Sequence, residues 1–208
     1  MTMRIVLSLA LGFAITNVCQ NVYGFQTASA KIEVKVQDKK QEGKADEKED
    51  ETFSFSRGRL EMKLPKGFKK VEPKFRMIDV EMSVPTEVKD QDNGRITIMG
   101  AGGSIDQNIE RWEGQFAQAD GSAAEAETTE KEVAEQKVTF VDIEGTYFHR
   151  PVPVRPDTIE KKDYRMLAAI IETEGMGNYF VKFYANKKTV DKHEKAFKAM
   201  IESLTIKK

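Results

Sequence analysis

Six consecutive apolar residues, Met166-Leu167-Ala168-Ala169-Ile170-Ile171, constrain this chain more than any other feature. They sit inside Tyr164 to Thr173. An unbroken apolar run of that length, bounded by polar residues, suits a strand covered on both faces. Gly175-Met176-Gly177-Asn178 turns the chain behind it, and Tyr179 to Tyr184 returns as its partner. The expectation is a layered domain with this hairpin at the middle of its sheet.

The flanking segments supply the rest of the layers. Leu60, Met62 and Leu64 alternate with Arg59, Glu61 and Lys63, the period of a half-buried strand. Ile78, Val80, Met82 and Val84 alternate again. A polar loop ending in Asn93-Gly94 leads to Arg95-Ile96-Thr97-Ile98-Met99, so these two runs read as a hairpin. Gly100 to Gly103 breaks the strand, and Ser104 with Gln107 forms a capping box that opens a helix over 104–116. Ile105, Ile109, Trp112 and Phe116 make one apolar face of it. Residues 117–131 read as a loop, Val138 to Phe148 as a strand, and the proline-bearing segment His149 to Asp163 as an exposed loop. A last helix is expected from about Lys188 to Leu204, with Val190, Phe197, Ile201 and Leu204 inward. Together these give an α+β domain over 53–208, with a central, largely antiparallel sheet of about six strands packed by two main helices.

Ahead of the domain, Arg4 is the only charge before Lys31, and Ile5 to Val18 is apolar but shorter than the roughly 20 residues a spanning helix needs. Ala28-Ser29-Ala30 closes the stretch with a small-x-small pattern. This is the layout of a secretory signal peptide over 1–30, cut after Ala30. Cys19 invites a lipoprotein reading, but Thr16 and Val18 stand where that signal prefers Leu and a small residue. Residues 31–52 read as a charged, disordered linker: QDKKQEGKADEKEDE over 37–51 carries charges of both signs and no large apolar side chain, and the preceding KIEVKV alternates and could pair as a short strand. The expected location is periplasmic or secreted, with no transmembrane anchor after processing.

Cleavage would remove the sole cysteine and leave 32 basic and 34 acidic residues, a net charge of −2. That excludes disulfide and thiol chemistry in the mature chain and disfavours a nucleic-acid binder built on a basic stripe.

The segments GGSIDQNIERWEGQF (102–116), VDIEGTY (141–147), YRMLAAIIET (164–173) and FKAMIESL (197–204) resemble a group of small exported bacterial proteins of unknown function. The fold of that group is similar to the PsbP/Mog1-like architecture, an antiparallel sheet sandwiched by helices. The resemblance implies a noncatalytic role, binding or assembling other proteins, here an envelope protein as partner. It carries over no functional residue.

Chemistry-bearing residues are sparse. Gly100 to Ser104 could cradle an anion but lacks the full phosphate-loop pattern. Asn108, Arg111 and Gln115 share a polar helix face with Glu110. Asp142 and Glu144 point to one sheet face, where paired carboxylates could act as acid and base but more often form a solvated face. His149 lies at the following strand end. These six, Asn108, Arg111, Gln115, Asp142, Glu144 and His149, are the candidate binding surface. With two histidines and no ligand spacing, no metal and no cofactor are expected. Two function classes stand: a noncatalytic binding or assembly module of the envelope, and an enzyme or small-ligand binder whose site is assembled from residues distant in sequence. A concave pocket with converging polar groups would favour the second.

Overall fold

The computed structural model describes residues 51–151 and 157–207. The expected signal peptide and nearly all of the linker lie outside the described residues. The strands are β1 (Thr52–Phe55), β2 (Leu60–Lys63), β3 (Lys69–Val71), β4 (Val80–Val84), β5 (Gly94–Ala101), β6 (Phe116–Ala117), β7 (Glu127–Val133), β8 (Gln136–His149), β9 (Ile159–Thr173), β10 (Gly177–Asn186) and β11 (Thr205–Ile206). The helices are α1 (Ile105–Glu113) and α2 (Lys187–Glu202).

All the pairings are antiparallel. An eight-stranded sheet runs β3-β4-β5-β10-β9-β8-β6, with β7 also on β8, and a separate sheet runs β1-β2-β11. The α+β class is as expected; the sheet is larger than six strands. Its central hairpin is β9–β10, with Ile170 facing Phe180 and Leu167 facing Phe183 in register.

Alternation along β9 explains the apolar run. Leu167, Ala169 and Ile171 join Phe183, Val190, Phe197 and Ile201 in the core beneath α2. Met166, Ala168 and Ile170 join Trp112, Phe116, Val141 and Phe180 beneath α1. Each residue of the run is 3% exposed or less, because helices cover both faces.

Two loop expectations are corrected. Within 117–131 the chain completes β6 at Ala117 and forms most of β7. Glu127 to Glu132 are all exposed, so this edge strand shows no apolar alternation and is held by its backbone ladder to β8. Within 149–163, β8 extends to His149 and β9 begins at Ile159, so the strands run past the turn residues on both sides. Pro151 lies just beyond the end of β8, where no ladder donor is needed.

Helix α1 starts as read: Ser104 Oγ accepts from the Gln107 N–H, and the Gln107 side chain reaches back to the Ser104 N–H. It ends after nine residues, three short of Phe116, which enters β6. That shortness matters. The helix covers the sheet over Phe180 and Ile170 but stops before the end of the face where Arg95 and Tyr184 lie.

Candidate functional site

Three strands place tyrosines on that uncovered end. Tyr147 stands on β8, Tyr164 on β9 and Tyr184 on β10. The Tyr147 ring lies nearly parallel to Tyr164 with centroids 5.9 Å apart, and 5.7 Å from Tyr184 at 50°. Gly145 makes this possible. It sits at the β8 bulge with φ of +147°, and its Cα side is so close to β6 that a Cβ would stand 2.4 Å from the Ala117 carbonyl oxygen. The bulge shifts the register by one residue and so sets which face Tyr147 joins.

Two further strands add charge. Glu81 on β4 is buried at 2% exposure, yet it is ionised and paired. Arg95 on β5 donates from Nε to Oε1 at 2.7 Å and from Nη2 to Oε2 at 2.9 Å. The Lys74 backbone N–H donates to Oε2 at 3.0 Å. The Arg95 hydrogen bonds hold the Glu81 carboxyl below its ordinary range. The remaining Arg95 terminal nitrogen, Nη1, donates to the Tyr184 hydroxyl. A guanidinium only donates, so the Tyr184 oxygen accepts and its own O–H proton is left to point elsewhere.

These groups line a cavity of about 660 Å³. Val71 and Phe75 form an apolar rim, 42% and 41% exposed. Lys161 stands at the wall, bound to Asp92 at 2.9 Å, with its Nζ 5.4 Å from the Tyr164 ring centre. Burial raises the Tyr147 and Tyr184 hydroxyls above the usual phenol range, so both stay protonated near neutrality. Burial and the cations Lys161 and Arg95 lower His149, which keeps its imidazole neutral there. The cavity therefore offers phenol donors, an arginine already anchored from behind, and flat aromatic walls.

The six residues singled out from sequence do not converge. His149 lines the cavity. Asn108 is buried at 4% and ties down the turn ahead of α1, donating to the Gly102 and Ser104 carbonyls at 3.3 and 2.8 Å, while Arg111 donates to it at 2.6 Å. Gln115 caps the end of α1 through the Arg111 carbonyl at 3.2 Å. Asp142 and Glu144 do share a face, but it is the opposite face of the sheet. There Arg165 on β9 gathers Asp142 at 2.5 Å, Asp191 at 2.7 Å, Glu194 at 2.8 Å and Glu144 at 3.3 Å. That cluster pins α2 to the sheet.

Sequence reading passed over Glu81, Arg95, Tyr147, Tyr164 and Tyr184. One signal was present: Glu81, Arg95 and Tyr184 are polar residues on strands that are otherwise strongly apolar. Their meeting depends on register, with Glu81 facing Thr97 and Tyr184 facing Arg95 across the ladders.

No family model matches the chain, and no curated protein does. Among solved structures, the chain is similar to the solution structure of cyanobacterial PsbP (CyanoP) from Synechocystis sp. PCC 6803, at 14% identity, covering 76% of this chain and 92% of that one, with a TM-score of 0.45. At that identity no functional residue carries over. Among the described residues, no helix is long and apolar enough to cross a membrane, and no group of three or more His, Cys, Asp or Glu is placed to hold a metal ion.

Proposed function

We propose that this chain is a noncatalytic binding module of the cell envelope or secreted fraction, with residues 1–30 as export signal, 31–52 as tether, and the cavity on the α1 face as binding site. Its ligand has a planar apolar body and an anionic, hydrogen-bond-accepting head, either as a free molecule or as a group presented by an envelope protein. The observation that carries this reading is the buried chain Glu81–Arg95–Tyr184, which ends in a free O–H donor at the cavity wall. A buried ion pair behind a single phenol fixes that donor's position, and preorganised donors recognise acceptors without reordering cost. The tyrosine faces suit a flat body.

The same groups argue for binding over catalysis. Raised phenols are poor proton acceptors near neutrality. Asp92 and Glu81 are each committed to a cation. His149 is a neutral base whose ring contact is Tyr147, 5.9 Å away, and among the described residues no carboxylate hydrogen-bonds it in the manner of a catalytic pair.

The test uses the full chain with benzoate, 4-hydroxybenzoate and 2-naphthoate, read by ligand-observed NMR. Binding of at least one is expected, and Tyr184→Phe should weaken it about tenfold or more, the value of one hydrogen bond to a charged group. Equal binding by parent and variant, or no binding to any of the three, counts against this site. Chemical conversion of a bound compound would favour an enzyme instead.

A further inference from the structure

Four large apolar side chains are exposed among the described residues: Val71, Phe75, Met77 and Ile159. Three of them fall within nine positions, 69–77, reading KKVEPKFRM. The same segment holds four cations, Lys69, Lys70, Lys74 and Arg76, against the single acid Glu72, in a chain whose net charge is −1. None of the four cations is in an ion pair among the described residues.

The segment is held rather than loose. Lys69–Val71 is the edge strand β3, paired to β4. Beyond it, the Lys74 N–H donates to the buried Glu81 carboxylate, the Ile78 N–H closes a turn onto the Phe75 carbonyl at 3.0 Å, and Ile78 is buried. Arg76 and Met77 occupy the corner of that turn, with Met77 69% exposed. The turn presents an exposed apolar tip, Met77, in a segment that carries four cations and one acid. It suits a soft surface into which the tip can sink while the cations stay at headgroup level.

The geometry points to residues 69–77 as a docking surface for an anionic phospholipid bilayer, with Met77 and Phe75 entering the interface and Lys69, Lys70 and Arg76 meeting the headgroups. This goes beyond the cavity reading. Phe75 also lines the cavity, but Lys69, Lys70, Arg76 and Met77 do not, so variants at these four test the bilayer surface separately.

The full chain is tested against vesicles of phosphatidylcholine alone and with one-third phosphatidylglycerol. The readout is the ratio of the two affinities, in which binding through the apolar N-terminal stretch largely cancels. The ratio should favour the anionic vesicles, and Lys69→Gln/Lys70→Gln/Arg76→Gln should lower it about tenfold or more, since each cation near an anionic surface is worth roughly fivefold. In a separate Met77→Trp variant, the introduced indole should shift to the blue on anionic vesicles and be quenched by brominated acyl chains, while buried Trp112 does not respond. Tyr184→Phe should leave all of this unchanged. A ratio near one, a preference that survives the triple variant, or an indole that stays in water overturns the proposal. Tight, salt-sensitive binding of soluble polyglutamate or RNA with no indole shift on vesicles would assign the patch to an acidic macromolecule and overturn it equally.

Discussion

Arg95 grips both carboxylate oxygens of Glu81 from the adjacent antiparallel strand, at 2.7 and 2.9 Å. Glu81 is almost fully buried, whereas the Arg95 side chain keeps 23% of its surface in water. Breaking such a pair strands a charge, so Glu81→Gln should cost about 3 kcal/mol, the low end for a buried pair because Arg95 is partly hydrated. The double variant Glu81→Leu/Arg95→Met should recover much of that in urea unfolding. The folded Glu81 pKa lies below its ordinary 4.5. Its stabilisation is therefore fully present above about pH 4.5 and is lost as pH falls through the folded value. Glu81→Gln should flatten that part of the acid-unfolding curve.

Trp112 is 2% exposed and meets Phe180 edge-on at 5.7 Å. Trp112→Ala should cost about 3–5 kcal/mol by urea unfolding, the usual loss for a buried aromatic. Ser104→Ala, which removes only the helix cap, should cost about 1 kcal/mol. Fluorescence from this sole tryptophan should be blue-shifted and poorly accessible to iodide. Emission like that of free tryptophan would contradict the packing.

Lys182 lies on β10 beneath α1 with its ammonium 4.9 Å from the Trp112 ring. Burial, with Arg111 and Arg95 nearby, pushes its pKa down to about 7. The unfolded chain then holds a proton that the folded chain does not between about pH 7 and the ordinary 10.5. Stability from this group should therefore rise with pH across that window. Lys182→Met should remove the rise. Reductive ¹³C-methylation should show one lysine signal titrating near neutrality, and a signal that titrates with the rest near 10 would refute the placement.

Gly145→Ala should be among the most damaging small substitutions in the chain. The added methyl would meet a backbone oxygen of β6 at 2.4 Å, and φ of +147° is a conformation L-residues avoid. A loss above about 3 kcal/mol is expected, together with loss of the Tyr147 ring contacts in aromatic NMR spectra.

Elements whose burial is local and periodic are legible in the chain before it folds. The run Met166 to Ile171 announced a strand covered on both faces, Ser104 and Gln107 marked the start of α1, and Trp112 and Phe197 were placed in the core. Each follows from spacing along one segment, because apolar period and capping chemistry are properties of neighbours in the chain. Edge strand β7 escaped because Glu127 to Glu132 bury nothing, so only backbone pairing to β8 defines it. The cavity escaped for a different reason. Glu81, Arg95, Tyr147, Tyr164 and Tyr184 come from five strands, and each alone reads as an ordinary polar or aromatic strand residue. Asp142 and Glu144 were placed on one face correctly, but which face, and that Arg165 would fill it, was beyond local pattern. Strand register, the Gly145 bulge and the short reach of α1 decided these meetings, and all three depend on contacts between residues far apart in sequence.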